Sequence, residues 1–444
     1  MTTPYRVGAA TGFAGDRFEP ARVLAESGDI DALVYECLAE RTIGLAQQRR
    51  GVPGAVGYDE LFLHRLDDVL PVLRPETAVL TNAGAADPTA LARAVAERLD
   101  GHPRARGRVV AAVTGDDILD RLPSDTPVLG TELTIGDFGD RVVSANAYIG
   151  AGAAVEALHA GADVVITGRM GDAALFAAPI AAHHGWDTED ADVMAVPTLV
   201  GHLLECGGQL TGGYFADGGR KVVPHLATLG FPIAEVDGDS TVTLGKVDDT
   251  GGLLTRATVI EQLLYEIDDP SAYKTPDVTL DLRSVRIEEI GPDRVRIVGE
   301  RAAGKPDLLK ASVGIRDGYL ATGSIAYGGL GALARAELAL AIVTERWEVV
   351  HGRDSAELRL DLLGYNALQP WARPDVEPAE VCARFALRTW EADAARALVR
   401  EVEALYTNGP AGGGGVQTAV RETTGIVSVL VPRDLVQPRM EVLR

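Results

Sequence analysis

In its first half the chain repeats one pattern: a short apolar run stops at a polar, often glycine-bearing cluster, and helical spacing follows. Arg6–Ala10 stops at Thr11-Gly12-Phe13-Ala14-Gly15-Asp16, with helical spacing over Pro20–Glu26. Ala32–Val34 stops at Tyr35-Glu36-Cys37, Thr77–Leu80 at Thr81-Asn82-Ala83-Gly84, and Arg108–Val113 at Thr114-Gly115-Asp116-Asp117. Val142–Ser144 precedes Asn146 and Tyr148, and Asp163–Ile166 runs into Thr167-Gly168-Arg169-Met170-Gly171-Asp172. Apolar runs too short for helices, set between helical stretches, read as buried parallel strands joined by crossovers. The class is therefore α/β. The expected architecture is a mostly parallel, doubly wound sheet over residues 1–270, with its chemistry beyond the carboxyl ends of the strands. A barrel is the alternative, but it needs eight units and only about six are readable.

From residue 271 to 444 the pattern changes to alternation. Val278–Leu282, Ser284–Ile290, Arg294–Val298, Ala311–Ile315 and Leu320–Ala326 read as antiparallel strands. Helical stretches at Gly331–Trp347 and Ala392–Tyr406 complete an expected α+β domain carrying the glycine-rich loop 408–415. Residues 186–269 between the two patterns read as irregular and rich in glycine.

With 46% apolar and 24% charged residues, the chain is that of an ordinary globular protein. Its formal charge of −22 repels phosphate backbones and anionic membranes, so neither is an expected partner. A local basic pocket for a small anion remains compatible with that mean. Three scattered cysteines, Cys37, Cys206 and Cys382, suggest neither a disulfide framework nor a zinc site, and no metal is expected. With no apolar leader and no run of ~20 apolar residues, the expected location is the cytoplasm. Neither GxGxxG nor GxxxxGK[ST] occurs, so no nucleotide cofactor is expected.

Several clusters carry candidate chemistry. Glu36 and Glu40, four apart, would share a helix face and serve as acid and base or as ligands; a solvated helix start is the plain alternative. Asp16 and Asp116 are site carboxylates or turn formers. Asn82, Asn146 and Tyr148 offer hydrogen bonds to a carbonyl. Arg169, beside a helix start, would clamp an anion, or else staple its loop to Asp172. His202, Glu205 and Cys206 share one helical turn, followed by Tyr214; this is the strongest acid–base candidate, against a buried structural cysteine. The loop Asn408–Gly415 is an anion nest or a simple turn. Lys305 and Lys310 are isolated charges without special context.

Together these words resemble the acyclic terpene utilization (AtuA) family. The resemblance rests on Gly12-Phe13…Gly15-Asp16, Leu38-Ala39-Glu40-Arg41-Thr42, Thr81-Asn82-Ala83-Gly84 and Gly115-Asp116-Asp117. It continues through Ala145–Gly150, Gly161-Ala162-Asp163…Thr167-Gly168-Arg169 and Gly201–Cys206. Thr211–Phe215, Glu261–Glu266 and Asn408–Gly412 complete it. Two positions depart from the family's usual residues: Glu36 stands in place of Asp, and Ala85 in place of Gly.

The resemblance implies an enzyme of branched or terpenoid acyl-CoA metabolism, without a further cofactor, acting as a hydro-lyase or carbon–carbon lyase. The implied base is His202 or Glu40, the donors are Asn82 and backbone N–H groups, and the anion clamp is Arg169. It also implies a small AtuA-related partner subunit of about one hundred residues, and a homo-oligomer is expected. The alternatives are a non-catalytic binding or scaffold subunit of an acyl-CoA-processing complex, and a thioesterase using Cys206.

Overall fold

The computed structural model describes residues 4–27, 29–371 and 376–443. The strands are β1 Tyr5–Thr11, β2 Ala32–Tyr35, β3 Ala78–Thr81, β4 Val110–Thr114, β5 Val142–Ala147, β6 Val164–Thr167, β7 Pro232–Val236, β8 Val242–Lys246 and β9 Tyr273–Lys274. They continue with β10 Thr279–Asp281, β11 Arg286–Gly291, β12 Arg294–Val298, β13 Arg301–Ala302, β14 Leu308–Gly328, β15 Leu358–Leu363, β16 Glu380–Thr389, β17 Gly414–Pro432 and β18 Arg439–Leu443. The helices are α1 Glu19–Glu26, α2 Glu40–Arg50, α3 Leu61–Val69, α4 Pro88–Gly101, α5 Gly152–His159, α6 Asp172–His184, α7 Ala191–Leu204, α8 Arg256–Leu263, α9 Ala332–Val349 and α10 Ala392–Asn408.

Two compact units form, Met1–Gly314 with Ile426–Arg444, and Ile315–Gly425. The expected boundary at 270 is therefore displaced. The antiparallel strands β11 and β12 extend the first unit's sheet through β8 instead of founding a new domain.

That sheet has ten strands in the order β11-β12-β8-β7-β1-β2-β3-β6-β4-β18. Only β1, β2, β3, β6 and β4 are mutually parallel. The sheet is mixed rather than the mostly parallel, doubly wound one expected: β7 pairs antiparallel with β1, and β18 antiparallel with β4. β5 joins none of the ten; just past its end, the Tyr148 N–H donates to the Lys310 carbonyl at 2.9 Å. The central strands ALVY and VVIT are buried at every residue, as strands covered on both faces must be. On one face Leu33, Tyr35, Val79, Val110 and Ile166 pack against Leu24, Phe62, Leu66, Leu91 and Val95 of α1, α3 and α4. The alternate residues point the other way, where α6 meets β1, β2 and β3.

The stretch 186–269 is not irregular; it holds α7, β7, β8 and α8. α6 and α7 are buried nearly all round, as helices without a polar face must be. Gly201 permits their contact, because a Cβ there would overlap the Ala173 carbonyl of α6. This close approach fixes where the end of α7 presents His202 and Glu205.

In the second unit β15, β16 and the parts of β14 and β17 that fall within it follow the order β15-β16-β14-β17, with β16 antiparallel to both β15 and β14. Ala321, Ile325 and Phe385 pack against Ala336, Val343, Leu398 and Val402 of α9 and α10. The glycine-rich loop turns its Ala411 carbonyl to Arg335, which also holds the Gly328 and Leu330 carbonyls. It is stapled to a cation, and the anion-nest reading does not fit it.

Candidate functional site

Parallel strands deliver their following residues to one edge, so Glu36, Asn82, Asp116 and Arg169 arrive together. Asn82 donates to the Glu36 carboxylate and accepts the Cys37 N–H at 2.7 Å. Glu36 also accepts the Leu38 N–H at 3.0 Å. Burial pushes the Glu36 carboxyl well above its ordinary range; Asp172 adds to this and Arg169 opposes it. α2 starts only at Glu40, so Glu36 lies in the preceding turn and the two acids share no helix face. Asp116 is buried, accepting from Asn146 Nδ2 at 2.8 Å and from the Arg169 N–H at 2.9 Å. Asp116 and Asn146 line neither of the cavities described below, and they brace the loop that carries Arg169.

Arg169 is fully buried. Its Nη1 donates to the Leu38 carbonyl at 2.6 Å and to Asp172 Oδ1 at 2.7 Å. Its guanidinium lies 3.9 Å from the centre of the Tyr148 ring. Its Nη atoms are held by a carboxylate and a carbonyl, Nε has no partner among the described residues, and Arg169 lines neither of the cavities described below. The anion clamp expected at Arg169 is therefore replaced by the staple to Asp172.

A cavity of about 540 Å³ opens beside this network. Glu40 stands at its wall, accepting from the Tyr148 hydroxyl at 2.5 Å and from Lys310 Nζ at 3.1 Å. Burial opposes ionisation of Glu40, but the Tyr148 hydroxyl, Arg169 and Lys310 prevail and bring its carboxyl down to about 2. Such a weak base suits holding a cation, not abstracting a proton. Lys310 is not isolated, and Lys305 pairs with Glu189 at 2.7 Å.

His202 and Glu205 line the same cavity from the end of α7. His202 Nδ1 is 3.0 Å from Glu205 Oε1, and Nε2 is 3.1 Å from the Leu263 carbonyl oxygen. A carbonyl only accepts, so Nε2 carries a proton. A further proton is then shared between Nδ1 and the carboxyl. Burial raises the Glu205 carboxyl to about 7, with His202 pulling the other way. With both nitrogens engaged and the ring buried, His202 does not reach substrate as a base. Glu205 presents the titrating group.

The Cys206 thiol is not poised as a thiolate. Burial, then Glu205, Glu266 and Asp172, push its thiol far above the ordinary range, the reverse of what a reactive thiolate needs. Its backbone is where Gly12 packs, because a Cβ on Gly12 would stand 2.5 Å from the Cys206 carbonyl carbon.

A second cavity of about 510 Å³ shares Glu40, Asp172, Glu205, Tyr265 and Glu266 with the first. Asp16, Glu36, Cys206 and Tyr214 line this part. Asp16 accepts the Gly12 N–H at 2.8 Å, closing the glycine loop. Tyr214 is exposed, with its ring 6.2 Å from that of Tyr265. Ala85 lines neither cavity; it sits buried with Leu38, Ile43 and Ala46 at a left-handed φ of 45°.

Residue-type reasoning missed Glu266, Tyr265 and Tyr273, although the first two end a quoted motif. Glu266 has a φ of 58°, a turn that carries it into both cavities. Tyr273 lies with its ring 4.8 Å from that of His202, tilted by 52°, and had no local signal. Among the described residues no three His, Cys, Asp or Glu side chains are grouped to hold a metal ion, and no helix is long and apolar enough to cross a membrane.

The sequence model of the family described as "Acyclic terpene utilisation family protein AtuA" matches residues 5–442. No curated protein and no solved structure matches the chain.

Proposed function

The chain belongs to the acyclic terpene utilisation family, and from that premise we propose that it is an enzyme moving a proton beside the carbonyl of a branched or terpenoid acyl thioester. The reaction class is a lyase: addition or loss of water, or carbon–carbon cleavage. The observation that supports this most is the His202–Glu205 pair, holding one shared proton at the wall of a cavity large enough for an acyl chain.

Glu205, once it has given up its proton, takes the proton from the carbon next to the carbonyl. A carboxyl near 7 is matched to that task at neutral pH. The electron pair left behind moves onto the carbonyl oxygen. α6 begins at this cavity without a side-chain cap, so its first N–H groups and dipole favour developing negative charge there. Loss of water follows when the pair returns to form the double bond and the departing hydroxide takes the proton from Glu205. Hydration is the reverse. Lys310, Tyr148 and Glu40 keep the facing wall ordered.

The test is incubation with a panel of branched and terpenoid acyl-CoA thioesters, followed by mass spectrometry. Conversion of one member, by one water or by chain cleavage, and its loss in Glu205→Gln are expected. No conversion across the panel would favour a non-catalytic subunit.

A further inference from the structure

The chain has five lysines, Lys221, Lys246, Lys274, Lys305 and Lys310. Three of the five, Lys274, Lys305 and Lys310, line the first cavity. All three come from one stretch, with Lys274 in β9, Lys310 in β14 and Lys305 just before it. Five carboxylates, Glu40, Asp172, Glu205, Glu266 and Asp307, line it as well. Gathering three of the five lysines in one cavity is still a local exception in so acidic a protein.

These lysines are available. Lys274 is exposed and has no ion-pair or side-chain hydrogen-bond partner among the described residues. Lys305, itself 20% exposed, holds the 78%-exposed Glu189 and the Thr188 carbonyl, and Lys310 holds the half-exposed Glu40. A pair with a solvent-exposed carboxylate contributes little, so a stronger anion can take that carboxylate's place. Lysine also suits this use: its ammonium is a mobile point charge with three donors, a recurrent phosphate binder.

No lysine is among the residues lining the second cavity. Phe13, Leu38, Leu229, Phe231 and Tyr214 give it an apolar side, beside Asp16, Arg17, Glu36 and Gln209, and Phe13 and Tyr214 are 59% and 71% exposed. The lysines thus line one cavity, the apolar side lies in the other, and the acid–base group is common to both.

We propose that this cleft is one bipartite site for an amphiphilic thioester. Its phosphorylated head lies on Lys274, Lys305 and Lys310, and its apolar acyl chain lies between Phe13, Leu229 and Tyr214. The thioester then falls at the carboxylates common to both cavities. This rests on the acid–base reading above but is tested apart from it.

The experiment is calorimetric titration of the full chain with coenzyme A, and with a non-reactive branched acyl-CoA thioether. The variants are Lys274→Gln/Lys305→Gln and Phe13→Ser/Tyr214→Ser. The lysine variant is expected to bind coenzyme A about a hundredfold more weakly, roughly tenfold for each lost charge-assisted hydrogen bond. Its affinity for the matching pantetheine thioether, which lacks the phosphates, stays unchanged. The aromatic variant is expected to lose affinity for the acyl thioether and none for coenzyme A. No binding of coenzyme A by the wild type, or equal affinity in the lysine variant, overturns the proposal. Lysine-dependent binding without turnover of any thioester leaves the bipartite site standing and overturns only the acid–base reading.

Discussion

Nδ1 of His202 stands 3.0 Å from Oε1 of Glu205, close enough for one proton to lie between the two groups. This couples ionisation to both activity and stability. Activity requires ionised Glu205, so kcat/KM is expected to rise with pH and level off above about 7. Glu205→Gln removes this limb. A profile flat from pH 5 to pH 8 (roughly the range over which such a group titrates) contradicts the assignment.

Stability responds in the opposite direction. The folded carboxyl of Glu205 titrates at about 7 against an ordinary 4.5, so the folded state binds the proton more tightly. The stabilisation is complete below the ordinary value and is lost as pH climbs through the folded one. His202, also raised, contributes with the same sign. Urea titrations should therefore show stability falling between about pH 4.5 and 7, and falling less in Glu205→Gln. A variant that keeps the full slope locates the proton elsewhere.

Arg169→Ala leaves the Leu38 carbonyl and the 34%-exposed Asp172 without their donor. Leaving a buried acceptor unsatisfied costs about 1–3 kcal/mol. Thermal denaturation should show a large drop in Tm. A variant of unchanged Tm that binds substrate poorly would restore the anion clamp.

Gly201→Ala sets two effects against each other. Helix propensity favours alanine by about 1 kcal/mol. The new Cβ, however, overlaps backbone of Ala173, which cannot rotate away, and overpacking costs about 1–3 kcal/mol. Net destabilisation is expected, with lower activity because the end of α7 shifts. A gain in Tm would show that α6 and α7 part freely.

Cys206 should resist iodoacetamide at pH 8, read as the unmodified Cys206 peptide, and Cys206→Ala should keep turnover. Rapid, selective alkylation at Cys206 would revive the thioesterase.

The strands of the parallel core were legible because short buried apolar runs have few alternatives. β1, β2, β3 and β6 lie within a residue or two of the segments that name them. The mixed sheet was not legible. Its antiparallel flanks come from 232–298 and 439–443, and no local signal says which edge a distant strand will choose. The carboxylates were visible because they follow strands. Their roles were not, because the deciding contacts are remote: Tyr148 reaches Glu40 across 108 positions and Lys310 across 270. Arg169 shows the converse, since its partner three residues on was in plain view.

The most direct measurement of Glu205 as the proton-moving group is deuterium incorporation from D2O at the carbon beside the carbonyl of a branched acyl-CoA, followed by mass spectrometry. The wild type should label this carbon, and Glu205→Gln should do so about 100-fold or more slowly. Equal labelling in both proteins, or none in the wild type, contradicts the assignment.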